Sequence, residues 1–145
     1  GMYVLVRTSN PSSAEFQALS TAGPDGRPSL LADRVADAVD RWGRDLVGES
    51  GWSSVGAVVG ATHPAELARL RGLMPQTPLL LPGYGAQGAG ALDIVGGFRD
   101  GIHGALVNSS RGILFAGKEA PEKHWKDAAA GAMDAMADGL RAALL

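Results

Sequence analysis

Four short apolar runs punctuate the chain without alternating with polar residues: 2–8 (MYVLVRT), 55–61 (VGAVVGA), 78–81 (PLLL) and 104–108 (GALVN). Strands apolar on both faces are what a parallel sheet covered by helices requires. A helical pattern follows each run. After the first, Leu31, Val35, Ala38, Val39, Trp42 and Leu46 recur at helical spacing and predict one buried face. After the second, Thr62 is placed to cap and Pro64 to open a short helix, AELARLRG, that ends at Gly72. The third is followed by a weak, glycine-broken helix over 91–98. The fourth leads to a long amphipathic helix marked by Trp125, Ala129, Met133, Met136, Leu140 and Leu144. Residues 20–29 (STAGPDGRPS) and 47–54 (VGESGWSS) read as loops.

A strand-helix alternation repeated four times implies right-handed crossovers and one parallel sheet, an α/β fold. Four strands are half of what a closed (β/α)₈ barrel needs. A four-stranded sheet curved to that shape would leave two edge strands and one apolar concave face seeking a partner. Residues 1–145 therefore read as a single half-barrel domain. Composition narrows the class further. With 46% hydrophobic and 19% charged residues the chain has a core, and 13 Lys+Arg against 15 Asp+Glu leave no basic footprint for nucleic acid or an anionic membrane. Cysteine is absent, which excludes disulfides, thiolate metal sites and a Cys nucleophile. No apolar stretch is long enough to span a bilayer, so a cytoplasmic protein is expected.

In parallel α/β sheets ligands bind beyond the C-terminal strand ends. The third end, Gly83-Tyr84-Gly85-Ala86-Gln87-Gly88, matches G-x-G-x-x-G, but that dinucleotide fingerprint belongs on a first strand with an acidic residue about 20 positions on. Here Asn108 and Ser109 stand in that neighbourhood. What survives is a glycine loop whose backbone N–H groups can approach an anion, with Gln87 as a side-chain donor; the alternative is a turn that merely connects. The fourth end adds Arg111 and Gly112. Arg111 suits bidentate phosphate contact or a surface salt bridge, and its pairing with the Gln87 loop favours phosphate, which barrels often hold after their last two strands. Ser9, at the first end, suits either a base edge or a helix cap. His63 reads as a solvent-facing turn residue, His103 and His124 stand apart, and three scattered histidines make no metal site. Arg7 reads as packing or an ion pair. Lys118, Lys123 and Lys126 all follow the fourth strand, and apart from His63 no acid or base stands at a mouth, so no catalytic residue is assigned.

The runs VLVRTSNP, VVGATHPAEL, PLLLPGYGAQGA and ALVNSSRGIL resemble, in order, the last four strands of orotidine 5′-phosphate decarboxylase, most closely its longer bacterial subgroup with a TSNP motif. The resemblance implies a (β/α)₈ barrel, a homodimer and no metal or organic cofactor. The implied reaction converts orotidine 5′-monophosphate to uridine 5′-monophosphate and CO₂. It further implies that Gln87 and Arg111 grip the 5′-phosphate with N–H groups around Gly88 and Gly112. Ser9 would bond the pyrimidine amide edge and Pro82 would wall the base pocket. The family usually has an aliphatic residue where Tyr84 stands. Its Lys-Asp-Lys-Asp network, in which a Lys protonates C6 and an Asp disfavours the substrate carboxylate, has no counterpart here. Two expectations follow: an enzyme half that needs a missing N-terminal half-barrel, or a non-catalytic nucleotide-binding half-barrel that pairs with a second copy of itself.

Overall fold

A computed structural model describes residues 1–85, 87–118 and 124–145, so Ala86 of the glycine loop and Lys123 lie outside the described residues. The apolar runs form strands β1 (Met2–Arg7), β4 (Val55–Val59), β5 (Leu79–Leu81) and β6 (Ala105–Val107). They lie in the order β1-β4-β5-β6, every pair parallel. Sequential strands joined through helices are the α/β arrangement that the alternation predicts.

The register shows why these strands are apolar on both faces. Tyr3 lies opposite Gly56, Ala57 opposite Leu79 and Leu80 opposite Leu106. Val6, Ala57, Val59, Leu79 and Leu81 are buried in the core with Leu67, Leu70 and Ile94 from the helical layer. The alternate positions form the other face, which is uncovered: Tyr3 is 45%, Leu5 64% and Leu106 60% exposed. Among the described residues, helices cover one side of the sheet only.

That layer consists of α1 (Ala14–Gln17), α2 (Leu31–Gly43), α3 (Pro64–Leu73), a 3₁₀ segment over Leu92–Gly97, α4 (Ser110–Leu114) and α5 (Trp125–Leu144). Helix α2 packs on β1 and β4, and α3 on the 3₁₀ segment.

Four expectations need correction. Residues 20–29 are not a plain loop but the greater part of a hairpin, β2 (Ser20–Ala22) with β3 (Pro28–Leu30), because Pro24-Asp25-Gly26 supplies its turn and Gly26 takes φ 77°. Helix α2 buries Ala32, Ala36, Val39 and Gly43 rather than a face including Trp42 and Leu46, both exposed. Small residues let the helix lie close to the sheet, and the bulky ones turn outward. Helix α3 runs to Leu73, past Gly72, and its N-cap is His63, because the Thr62 hydroxyl donates instead to the Ser9 carbonyl at 3.3 Å. Helix α5 forms as the periodicity predicts but has no buried residue, only Leu140 packing against the core.

Candidate functional site

The mouths of the four strands converge because two glycines let backbone pass where a side chain would not fit. A Cβ on Gly60 would lie 2.8 Å from Ser9 N and Cα, so the chain leaving β1 rests directly on the chain leaving β4. The Gly60 N–H donates to the Arg7 carbonyl at 2.6 Å and the Ala61 N–H to the Pro82 carbonyl at 2.8 Å, tying three strand ends in a row. Gly83 follows β5 with φ 106°, a conformation that favours glycine. A Cβ there would face Gln87 Oε1 at 3.1 Å, Ser9 Cβ at 3.2 Å and Thr62 Cγ2 at 3.4 Å. Residues far apart in sequence thus surround one backbone position.

Beside Gly83 opens a cavity of about 100 Å³, walled by Pro82, Gly83, Tyr84 and Gln87 after β5 and by residues 108–111 after β6. Gln87 and Arg111 both line it. Arg111 stands in the first turn of α4, and no carboxylate of the described residues lies within salt-bridge distance of it. A guanidinium at a cavity wall with no counter-ion among the described residues suits an anion from solution.

Ser109 joins the two walls. It is buried, and its hydroxyl donates to the Tyr84 carbonyl at 3.3 Å. Neither Ser109 nor its neighbours Asn108 and Ser110 was assigned a role from sequence, although a polar run directly after an apolar strand was the available signal. Tyr84 packs its ring against the core, with its hydroxyl 3.7 Å from where a Cβ on Gly139 would lie, so its side chain serves the docking of α5.

The remaining sequence candidates sit around the cavity rather than on it. Ser9 is the neighbour of Gly83 described above. Gly88 and Gly112 flank the walls; the Gly88 N–H donates to the Gly85 carbonyl at 2.8 Å, and Gly112 lies within α4. His63 occupies the N-cap of α3, His103 pairs its backbone with Arg99, and His124 lies 3.7 Å from Asp127. Among the described residues no three of His, Asp and Glu gather as a metal site would require. Arg7 forms the ion pair anticipated for it, with Glu66 at 2.7 Å.

The opposite end of the sheet carries a different arginine. Arg71 donates to the carbonyls of Gly97 (3.0 Å), Met74 (2.8 Å), Thr77 (2.8 Å) and Gly104 (2.7 Å), and lies over the Trp52 ring. Burial first, and the nearby charge of Arg99 second, lower its pKa to about 10. It remains a cation at neutral pH.

No family model matches the chain. An orotidine 5′-phosphate decarboxylase from Rhodopirellula baltica is 40% identical over 97% of this chain and 47% of its own length. One from Clostridium perfringens is 37% identical over 100% of this chain and 49% of its own. The solved OMP decarboxylase of Leishmania donovani superposes with a TM-score of 0.67 at 30% identity, covering 96% of this chain and 47% of that one. The chain spans about half the length of the curated relatives it matches. With four parallel strands that superpose on roughly half of an OMP decarboxylase barrel, the chain is a homologue of orotidine 5′-phosphate decarboxylase over about half of that enzyme.

Proposed function

We propose that this chain is the C-terminal half of an orotidine 5′-phosphate decarboxylase, strands five to eight of the barrel, and that it supplies the grips for orotidine and uridine 5′-monophosphate. In this reading Gln87 and Arg111 hold the 5′-phosphate, with N–H groups near Gly88 and Gly112 helping. Ser9 bonds the pyrimidine amide edge and Pro82 walls the base. The Lys and Asp groups that move the proton come from an N-terminal half. No catalytic residue is assigned within this chain, and no metal or organic cofactor is called for.

The observation that carries the reading is that Gln87 and Arg111, from two different strand ends, face one cavity of about 100 Å³. That is the room of roughly three liquid waters, which suits a phosphoryl tail rather than a whole nucleotide. Binding energy from such a remote group can drive closure over the reacting centre, so the grip matters to the chemistry without performing it.

Titration with uridine 5′-monophosphate tests it. Arg111→Ala is expected to weaken binding about 10- to 100-fold, the worth of a charge-assisted hydrogen bond or two. Mixing the chain with an N-terminal half-barrel is expected to produce decarboxylation that neither half shows alone. Enzyme-like turnover by the purified chain by itself would sink the reading.

The open face supports a second reading. Tyr3, Leu5 and Leu106 are exposed on one side of the sheet, and β1 and β6 are its edges. Two copies could close one eight-stranded barrel with two phosphate cavities, a self-associating and non-catalytic nucleotide binder. Light scattering that returns a monomer would eliminate it.

A further inference from the structure

The strand end that carries Ser9 is built on a buried cation that the phosphate cavity does not use. Arg7, the last residue of β1, is 2% exposed. Glu66, in the first turn of α3, grips it bidentately, Nε to Oε2 at 2.7 Å and Nη2 to Oε1 at 3.3 Å. Its remaining nitrogen, Nη1, donates to the Ser13 hydroxyl and to Gln17 Oε1 at 3.4 Å.

Gln17 Oε1 is itself a junction. It accepts the Thr8 backbone N–H at 2.9 Å and the Thr8 hydroxyl at 3.3 Å. The Thr8 hydroxyl also lies 2.6 Å from Asn10 Oδ1, and Asn10 Nδ2 donates to the Ser12 hydroxyl at 2.8 Å. From the other side, the Thr62 hydroxyl holds the Ser9 carbonyl. The segment from Thr8 to Gln17 is thus tied to one guanidinium through Ser13 and Gln17, with α3 as its anchor through Glu66.

We propose that Arg7, fixed by Glu66, is a positioning residue for Ser9, and that it sets how the β1 mouth meets the pyrimidine end of a bound nucleotide. This rests on the reading above that Ser9 contacts the base. A buried ion pair is weak evidence for stability, because well-packed apolar residues often replace one at no cost. What apolar residues cannot replace is direction. The planar fork reaches Glu66, Ser13 and Gln17 at once and so links the end of β1 to α3, to the turn before α1 and to the end of α1. A ligand contact placed by such a link loses base affinity when the link is cut, while Gln87 and Arg111, which take part in none of these hydrogen bonds, stay at the phosphate cavity.

The test uses the 145-residue chain and the double variant Arg7→Met/Glu66→Met, with Gln17→Leu as a gentler cut of the same link. Amide hydrogen exchange reads the order of residues 8–17. Uridine 5′-monophosphate and ribose 5-phosphate titrations separate base from phosphate binding. The expected result is lost protection confined to 8–17 and a 5- to 20-fold weaker uridine 5′-monophosphate affinity, with ribose 5-phosphate unchanged within twofold. Arg7→Lys, which keeps the charge but not the fork, is expected to recover only part of the loss. Unchanged protection in both variants overturns the proposal, as does an equal loss for both ligands. If the unaltered chain binds ribose 5-phosphate but gains nothing from the base, the base-contact reading fails instead, and the exchange result alone then decides whether Arg7 orders the segment.

Discussion

Two arginines stand at opposite ends of the same four-stranded sheet and meet opposite fates. Arg71, below the strands, is 8% exposed and satisfied four times over by backbone carbonyls. Those carbonyls belong to the C-terminal end of α3, the end of the 3₁₀ segment and the approaches to β5 and β6, so a single side chain ties the lower ends together. Arg111, above the strands, is exposed at a cavity wall and pairs with no carboxylate of the described residues. A cation whose three nitrogens all donate within the chain is part of the scaffold; one that lines an open cavity is available for a ligand. The division follows the general logic of parallel α/β barrels, stability at the N-terminal face and binding at the C-terminal face.

The largest effect is expected where the scaffold arginine is removed. Arg71→Met keeps the volume but strands the Gly97 and Thr77 carbonyls, each costing about 1–3 kcal/mol when buried without a partner, while the Met74 and Gly104 carbonyls keep the Thr77 and Leu79 N–H donors. A loss of at least about 2 kcal/mol is expected, which lowers Tm by about 7 °C in a domain of this size. A thermal melt checks it, and nucleotide affinity measured well below the transition should hold within about twofold. If affinity collapsed while Tm held, the comparison between the two ends would be broken.

A smaller and reversed effect is expected at the other end. Arg111→Lys keeps the charge and loses the planar fork, so uridine 5′-monophosphate should bind about 5- to 10-fold more weakly. Stability should stay within about 0.5 kcal/mol, as for exposed positions generally. Calorimetric titration beside a melt of the same sample sharpens the contrast, since Arg71→Met and Arg111→Lys should fall on opposite axes.

The upper end was readable from the chain far better than the lower one. Strand ends that bind ligands break the apolar pattern abruptly, and Pro82-Gly83-Tyr84 and Asn108-Ser109-Ser110-Arg111 do so in a few residues. Arg71 gives no such sign. It is one of two arginines on a short helix, and the four carbonyls that converge on it lie up to 33 residues away from it along the chain. Strands β1, β4, β5 and β6 were evident because burial on both faces leaves continuous apolar runs. Hairpin β2–β3 was not, because its three-residue strands are partly polar and its Pro-Asp-Gly turn reads equally well as a loop. For α2 hydrophobicity pointed only partly the right way: Val35 and Val39 face the core as read, but close approach to the sheet selects Ala32, Ala36 and Gly43 over Trp42. For α5 the apolar stripe was evident, but a stripe does not tell what covers it.

The smallest effect on the chain itself is expected on the uncovered face of the sheet. Leu106 sits opposite Leu80 in the middle of β6, 60% exposed, while its neighbours Ala105 and Val107 pack toward the helices. A core leucine changed to glutamine would cost several kcal/mol, yet here the side chain has little apolar contact to lose, so Leu106→Gln should shift the stability of the isolated chain by no more than about 0.5 kcal/mol. The same substitution should prevent assembly with an N-terminal half, because closing the barrel would bury glutamine's amide among Tyr3, Leu5, Val58 and Leu80 without a partner, at about 1–3 kcal/mol. Two measurements separate these effects: a melt of the chain alone and sedimentation of the mixed halves. A neutral melt with lost assembly marks the face as one that another half-barrel covers. A large drop in the melt alone would instead show that this side of the sheet is already part of the core, and that four strands suffice.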